Sequence, residues 1–326
     1  MINISNIFSI KNDSEFEGLA LEIFRIQSET IPVYREFIGH LKIDPGKVNS
    51  LKEIPFLPVE FFKSHQIIPA DSQAEIVFRS SGTTGLPSLH FVADKSIYET
   101  SLKRGFELFY QNREKYCILA LLPSYLERTG SSLVYMADKL ISDSKDPDSG
   151  FYLSNTGKLM ELLRRKNEAD TPTILLGVSF ALADLALNHH ENLSNIIFIE
   201  TGGMKGRKKE MVREELHKLI KENFNLSEVH SEYGMTEILS QAYSKSGGVF
   251  YCPPWMKILI RDSYDPFRIL NEEKTGSINI IDLANVYSCS FVATSDLGRL
   301  HPYGGFEVLG RIDNSDIRGC NLLVME

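Results

Sequence analysis

Apolar positions along this chain recur at two spacings, and the change of spacing divides it. Over residues 14–27, Phe16, Leu19, Ala20, Ile23 and Phe24 fall at i, i+3, i+4, i+7 and i+8, the signature of one buried helix face. Ile31-Pro32 interrupts that pattern. Residues 53–66 set Pro55 and Pro58 among Phe56, Phe61 and Phe62, which predicts a rigid segment packed on the body rather than a linker. Ile76-Val77-Phe78 reads as a strand, Leu89–Val92 as its returning partner, and Asp94 and Ser96 offer caps for a helix reaching Tyr110. Strand-like runs at 117–122, 173–177, 195–199 and 228–230 then alternate with helix-like runs at 131–141, 155–165, 180–188 and 206–223. Alternating elements predict an α/β fold with a largely parallel sheet, helices on its faces and ligands at the carboxyl ends of the strands. From residue 249 onward short strands dominate, at 257–260, 277–281 and 306–309. The expectation is one large domain over residues 1–326: an α/β body to residue 248, then a β-rich subdomain with a short tail.

Composition narrows the class. Of 326 residues, 43% are hydrophobic and 24% charged, an ordinary soluble balance. The net charge of −8, with no long basic block, argues against a dedicated nucleic-acid binder. No apolar run approaches the ~18 residues of a membrane span, and Met1-Ile2-Asn3-Ile4-Ser5 does not begin a secretory signal. Cys117, Cys252, Cys289 and Cys320 are scattered, so neither a zinc site nor a disulfide framework is indicated, and a reducing, cytoplasmic setting is expected. Cys117 and Cys289 stand in apolar runs and read as packing residues.

Five short segments carry candidate chemistry. Arg79-Ser80-Ser81-Gly82-Thr83-Thr84-Gly85-Leu86-Pro87 follows the first strand of the hairpin. Its glycines admit close approach of an anion, and its hydroxyls and successive N–H groups can hold phosphates. It is not a Walker loop, because no Gly-Lys-Ser/Thr follows at the required spacing. A plain polar hairpin is the alternative. Glu200-Thr201-Gly202-Gly203 closes a strand and would let a flat ligand lie on bare backbone, or would simply be a βα turn. Tyr233-Gly234-Met235-Thr236-Glu237 offers a ring to stack on a base and a hard oxygen ligand for Mg²⁺, or an ordinary strand-to-helix turn. Asp296, at the end of an apolar run, can accept from both hydroxyls of a ribose, or be a turn aspartate. Arg311, in Gly310-Arg311-Ile312-Asp313, supplies a fixed positive charge, for a ligand or for a surface ion pair.

Taken in order, the five segments resemble the adenylate-forming superfamily, whose members have a phosphate loop, a Gly-Gly adenine wall, Y-G-x-T-E, an aspartate in a D-x-G-R-like segment, and G-R-x-D. The runs Phe56–Ser64, Glu200–Arg207, His230–Gln241 and Ser295–Arg299 resemble, more narrowly, the LuxE family of bacterial acyl-protein synthetases, and more distantly the phenylacetate–coenzyme A ligases. The resemblance implies the fold of the superfamily's N-terminal domain and ATP-dependent activation of a fatty or other carboxylic acid as an acyl-adenylate. It implies that Ser80, Ser81, Gly82, Thr83, Thr84 and Gly85 hold the phosphates, that Gly202 and Gly203 flank the adenine, and that Tyr233, beside Gly234, stacks on it. It places Thr236 and Glu237 at the phosphates and Mg²⁺, Asp296 on the ribose and Arg311 nearby. Two departures accompany it. Ser88 stands where many relatives carry lysine after the loop proline. Larger members continue past G-R-x-D into a mobile domain with a catalytic lysine, whereas this sequence runs only to Glu326.

The family likeness further implies acyl transfer to a cysteine near the C-terminus, here Cys320 beside Arg318 and Gly319, and onward to a protein partner such as a reductase or a carrier. A buried Cys320 in a final strand is the alternative. An acyl- or aryl-CoA ligase-like enzyme is an alternative activity, and two readings of another class, the first a Ser179-based acyltransferase or esterase, remain at this level. Gly177-Val178-Ser179-Phe180-Ala181 partly matches a nucleophile elbow, although Ala181 replaces its second glycine, so Ser179 is expected as a helix cap or acyl-pocket residue. The other is a nucleotide-binding subunit without catalysis. Tyr125, Phe180, Leu182, Leu185 and Trp255 are candidates for an acyl pocket and equally for core.

Overall fold

The computed structural model describes residues 3–81, 86–122, 130–202 and 211–312. A short helix α1 (Ile4–Ile7) precedes α2 (Asp13–Thr30), where Asn12 caps the Glu15 N–H and the Glu15 carboxylate reaches back to Asn12 and Lys11. The predicted face of Phe16, Ala20, Ile23 and Phe24 is buried, and the helix runs on to Thr30 because Gln27 and Ser28 are buried too. Pro32 opens α3 (Pro32–His40), where its missing N–H costs nothing. The proline-aromatic segment becomes β1 (Leu57–Pro58) and α4 (Phe61–Ser64). A hairpin follows, β2 (Ile76–Arg79) against β3 (Leu89–Val92), and Asp94 caps α5 (Lys95–Tyr110).

The alternating region supplies β4 (Cys117–Leu121), α6 (Ser132–Asp143), β5 (Gly150–Phe151), α7 (Thr156–Glu168), β6 (Thr173–Val178) and α8 (Ser179–Asn188). It continues through β7 (Ile196–Thr201), α9 (Arg213–Phe224), β8 (His230–Tyr233) and β9 (Ala242–Ser244). The sheet order is β5-β4-β6-β7-β8-β9, parallel throughout except for β9. Helix α9 begins at Arg213, later than the sequence pattern suggests, and residues 206–210 lie outside the described set.

A second sheet is built from β10 (Val249–Phe250), β11 (Met256–Arg261), β12 (Gly276–Asp282), β13 (Phe291–Leu300) and β14 (Phe306–Arg311), in the order β10-β14-β13-β12-β11. β1 adds to β13 in parallel, so residues from the start of the chain complete the β-rich part. Every residue of β12 is buried, because this sheet is covered on both faces. One hydrophobic cluster joins Phe24, Tyr34, Phe56 and Phe62 to Phe291 and Val292. The N-terminal helices therefore share their core with the β-rich part, a grouping that a division at residue 248 does not capture. Among the described residues no helix is long and apolar enough to cross a membrane.

Candidate active site

A cleft of about 440 Å³ opens at the carboxyl ends of the parallel strands. Val178 ends β6, Thr201 ends β7 with Gly202 just beyond it, and Glu232 on β8 is followed by Gly234–Glu237; all line it. Arg79, Ser80, Ser81 and Ser88 face it from the hairpin, Glu60 and Lys63 from the α4 segment, and Ser295 and Arg311 from the second sheet. The predicted residues Ser80, Ser81, Gly202, Gly234, Thr236, Glu237 and Arg311, far apart in sequence, thus meet on one surface. Gly82, Thr83, Thr84, Gly85, Gly203 and Cys320 lie outside the described residues, as does Tyr125.

The stem of the hydroxyl-rich loop is locked. The Ser80 N–H donates to the Ser88 carbonyl at 3.1 Å, and the Ser88 N–H donates to Ser80 Oγ at 2.8 Å. Ser88 is 3% exposed, so the position where relatives carry lysine is packed as part of the stem. The Arg79 N–H donates to the Gly130 carbonyl at 2.7 Å, and Gly130 needs its glycine because φ is +83°. Among the described residues the cations lining the cleft are Lys63, Arg79 and Arg311; the sequence reading missed the first two as site residues. For Lys63 the available signal was its place in the family-like run Phe56–Ser64.

The turn carrying Thr236 and Glu237 is held from behind by buried polar groups. His90 Nδ1 lies 2.8 Å from the Thr236 carbonyl oxygen and, that group being only an acceptor, donates to it. Burial holds the His90 imidazole down at about 4, so the ring is neutral at pH 7. Asn285 Nδ2 donates to the Glu237 carbonyl at 2.8 Å. Asp282 accepts from the Leu239 N–H (2.7 Å), the Ser240 N–H (3.0 Å) and the Ser240 hydroxyl (2.6 Å), and burial pushes its carboxyl up to about 6. Glu237, 6% exposed, is thereby fixed in the cleft wall beside the Thr236 side chain. A carboxylate with a neighbouring hydroxyl is the hard-oxygen donor set that Mg²⁺ uses together with substrate phosphates. Among the described residues no group of three or more His, Cys, Asp and Glu forms a metal cage.

Asp296 on β13 is directly opposite Arg311 on β14 in the antiparallel ladder. Asp296 Oδ1 accepts from Arg311 Nε at 2.9 Å, and Oδ2 accepts from the Tyr233 hydroxyl at 2.8 Å. The Tyr233 ring is 8% exposed and packs against Phe250 and Phe306 at 5.9 and 5.5 Å. It stands behind the cleft wall, which Gly234 and Met235 form at this point. The expected pair of nucleotide residues is therefore a hydrogen-bonded triad, Tyr233–Asp296–Arg311, with only Arg311 among the lining side chains.

Behind Gly202 sits Glu200. Ser179 Oγ lies 2.5 Å from Glu200 Oε1 and 2.7 Å from the Gly202 carbonyl oxygen. Burial tends to raise the Glu200 carboxyl, but His217, Arg213 and Ser179 together outweigh it and hold it low. Ser179 is therefore neither a helix cap nor a nucleophile: it makes no cap bond, is 2% exposed, and its hydroxyl is shared between the Glu200 carboxylate and the Gly202 carbonyl. Its neighbour Phe180 does line the cleft, whereas Leu182, Leu185 and Trp255 are core. Cys117 and Cys289 are fully buried and their thiols are pushed up to about 12. Burial also raises the Cys252 thiol, so these three are poor nucleophiles as they stand.

A family model described as "Acyl-protein synthetase, LuxE" matches residues 9–326. The chain belongs to the LuxE family. No curated protein matches this LuxE-family chain by sequence. Its fold is that of the adenylate-forming enzymes. It superposes on ATP-bound MatB from Rhodopseudomonas palustris with a TM-score of 0.56 at 18% identity, over 72% of this chain and 47% of that one. The likeness to 2-hydroxyisobutyryl-CoA ligase is broader: the TM-score is 0.69 at 16% identity with 2-HIB-AMP and CoA bound in the thioesterification state, over 93% of this chain and 68% of that one. An open conformation of the same ligase gives 0.68 at 14% identity, over 93% and 70%. The LuxE-family chain thus spans about half the length of MatB.

Proposed function

We propose that this chain activates a carboxylic acid, of the fatty acid class, with ATP as an acyl-adenylate and passes the acyl group to a protein thiol. The observation that carries this reading is the convergence, at the carboxyl ends of the parallel strands, of the Ser80-Ser81 stem, Gly202, Thr236-Glu237 and Arg311 on one cleft. In the first half-reaction a carboxylate oxygen attacks the α-phosphorus in line, and pyrophosphate departs with the bonding electrons. The protein's work is positioning and charge neutralisation. Ser81 and the loop 82–85 hold the phosphates, and Lys63, Arg79 and Arg311 offset their charge from three sides. Gly202 and Gly203 would offer the adenine a backbone wall with Gly234 opposite, Tyr233 acting from behind it, and Asp296, oriented by Tyr233 and Arg311, would accept from the ribose hydroxyls. Glu237 and Thr236 would hold Mg²⁺, which when bound draws charge from the phosphate oxygens.

In the second half-reaction the Cys320 sulfur attacks the acyl carbon. The C–S bond forms, the C–O bond to AMP breaks, AMP leaves with the electron pair, and the thiol proton is lost to solvent or a base. The thioester is then available to an acyl-accepting protein, such as a reductase or a carrier. The test is ATP–pyrophosphate exchange with acids of increasing length, together with hydroxylamine-sensitive labelling of the protein by a radioactive acid. Glu237→Ala should lower exchange at least a hundredfold with the fold intact. Cys320→Ser should abolish the label and keep exchange. Parent-level exchange in the first variant removes the metal role, and label persisting in the second moves the acceptor elsewhere.

A further inference from the structure

One carboxylate of the cleft has no part in the chemistry above. Glu232, on β8, is 8% exposed and lines the cleft. The strand registers pair Val178 with Thr201, Thr201 with Glu232 and Glu232 with Tyr243, so these four residues form a row across the sheet. The Thr201 hydroxyl donates to Glu232 Oε2 at 2.5 Å, and among the described residues no donor reaches Oε1. A Cβ at Gly234 would fall 2.4 Å from that same Oε1, so glycine there leaves room for this carboxyl group. Next to the row, Leu133 and Met136 pack with Val178 to make an apolar patch that also faces the cleft.

An alkyl chain lying on this row would cover Val178 well and Glu232 badly. Among the described residues the groups acting on the carboxyl are Thr201 and Glu200 of β7, Tyr98 and Tyr110 of α5, and Tyr243 of β9, none of them a cation. Burial and the nearby Glu200 carboxylate push Glu232 up to about 7, so both its forms are populated near neutral pH. Covering such a group with methylenes strands a polar atom and costs free energy in either form. A ligand that brings a hydrogen-bond donor to Oε1 removes that cost. Sites built around such a bond reject analogues that lack the donor strongly, by up to about 10⁴-fold or more.

We propose that Glu232 sets the acid specificity of this cleft, accepting a hydrogen bond from a hydroxyl or amino group carried on the chain of the substrate acid. The inference rests on the adenylation reading and adds a substrate class to it: substituted acids in place of plain alkyl ones. The test is ATP–pyrophosphate exchange by the full chain with decanoate and with decanoates bearing one hydroxyl or one amino group at successive carbons. At least one substituted acid should exceed decanoate tenfold or more in kcat/KM, mostly through KM. Glu232→Leu should erase that preference. Glu232→Gln, nearly isosteric and able to accept from a hydroxyl, should keep a hydroxyl preference and lose an amino one; it also serves as the probe should the leucine variant not fold. Decanoate as the best substrate, with rates unchanged by either substitution, overturns the proposal while leaving adenylation standing. Exchange with no acid at all overturns the adenylation reading and this proposal with it.

Discussion

Asp296 and Glu232 are both buried carboxylates, yet their surroundings treat them differently. Asp296 is met by a phenol and a guanidinium, whereas Glu232 has one hydroxyl and a neighbouring anion. Asp296→Ala should weaken ATP binding about tenfold or more, since losing a charged hydrogen-bond acceptor costs about 1.5–3 kcal/mol; isothermal calorimetry reads this, and unchanged affinity excludes the ribose role. Tyr233→Phe keeps the ring packing and removes one donor to Asp296, so it should produce a smaller loss in the same assay. For Glu232 the prediction concerns pH. Its folded value of about 7 stands above the ordinary 4.5, so the wild-type chain loses stability as pH rises from 4.5 through 7. Glu232→Gln does not titrate. It should therefore melt close to wild type at pH 4.5 and gain on the order of 3 kcal/mol over it by pH 8. A melting-temperature difference that is flat with pH would show that the carboxyl is not perturbed by burial. His90 runs the other way: its value of about 4 stands below the ordinary 6.5, so its contribution is complete above pH 6.5 and is lost as pH falls toward 4.

At the scale of elements, the site depends on a turn that carries little regular structure of its own. Residues 234–241 follow β8, and their backbone is tied to His90 on β3, to Asp282 at the end of β12 and to Asn285 just beyond it. Asp282→Ala leaves three backbone N–H groups, those of Leu239, Ser240 and Ala284, and the Ser240 hydroxyl without their shared acceptor. It should cost about 3 kcal/mol or more and lower the adenylation rate, because Glu237 moves with the turn. Thermal unfolding and pyrophosphate exchange on the same preparation check both effects; a stable variant of normal activity would show that the turn holds itself. Much of the element structure was legible in the sequence. The face of α2, the cap of α5, the hairpin and the alternating strands all fall where apolar spacing and capping residues place them. The ends were less legible where tertiary contact sets them: α2 extends to Thr30 around its buried Gln27 and Ser28, and the strand expected at 228–230 is displaced to His230–Tyr233.

For the molecule as a whole, the start of the chain braces the site from the far side. Gln27 on α2 donates to the Asn285 and Val286 carbonyls and accepts from the Ser290 N–H, gripping the turn that in turn holds Glu237. Gln27→Leu should cost about 2–3 kcal/mol, because buried backbone groups lose partners that leucine cannot replace. Hydrogen exchange at residues 285–290 should rise well above its rise elsewhere in the chain; a uniform increase would mean that the brace is not local. By itself the sequence determined the α/β class, the order of the five motifs and the family, because periodicity, capping and a loop's hydroxyls and glycines are local properties. Tertiary structure alone decided that β1 joins the second sheet, that Ser88 is a stem residue, and that Lys63 and Arg79 face the cleft. It alone turned Tyr233, Asp296 and Arg311 into a triad, shared Ser179 between Glu200 and Gly202, and set Glu232 in a row with Val178 and Thr201. The Ser80–Ser88 stem and the Asp296–Arg311 pair rest on the register of a hairpin. Most of the others rest on contacts between segments distant in the chain and on which side chains burial leaves without water. Such contacts join residues tens to hundreds of positions apart, beyond the reach of any pattern read along the chain.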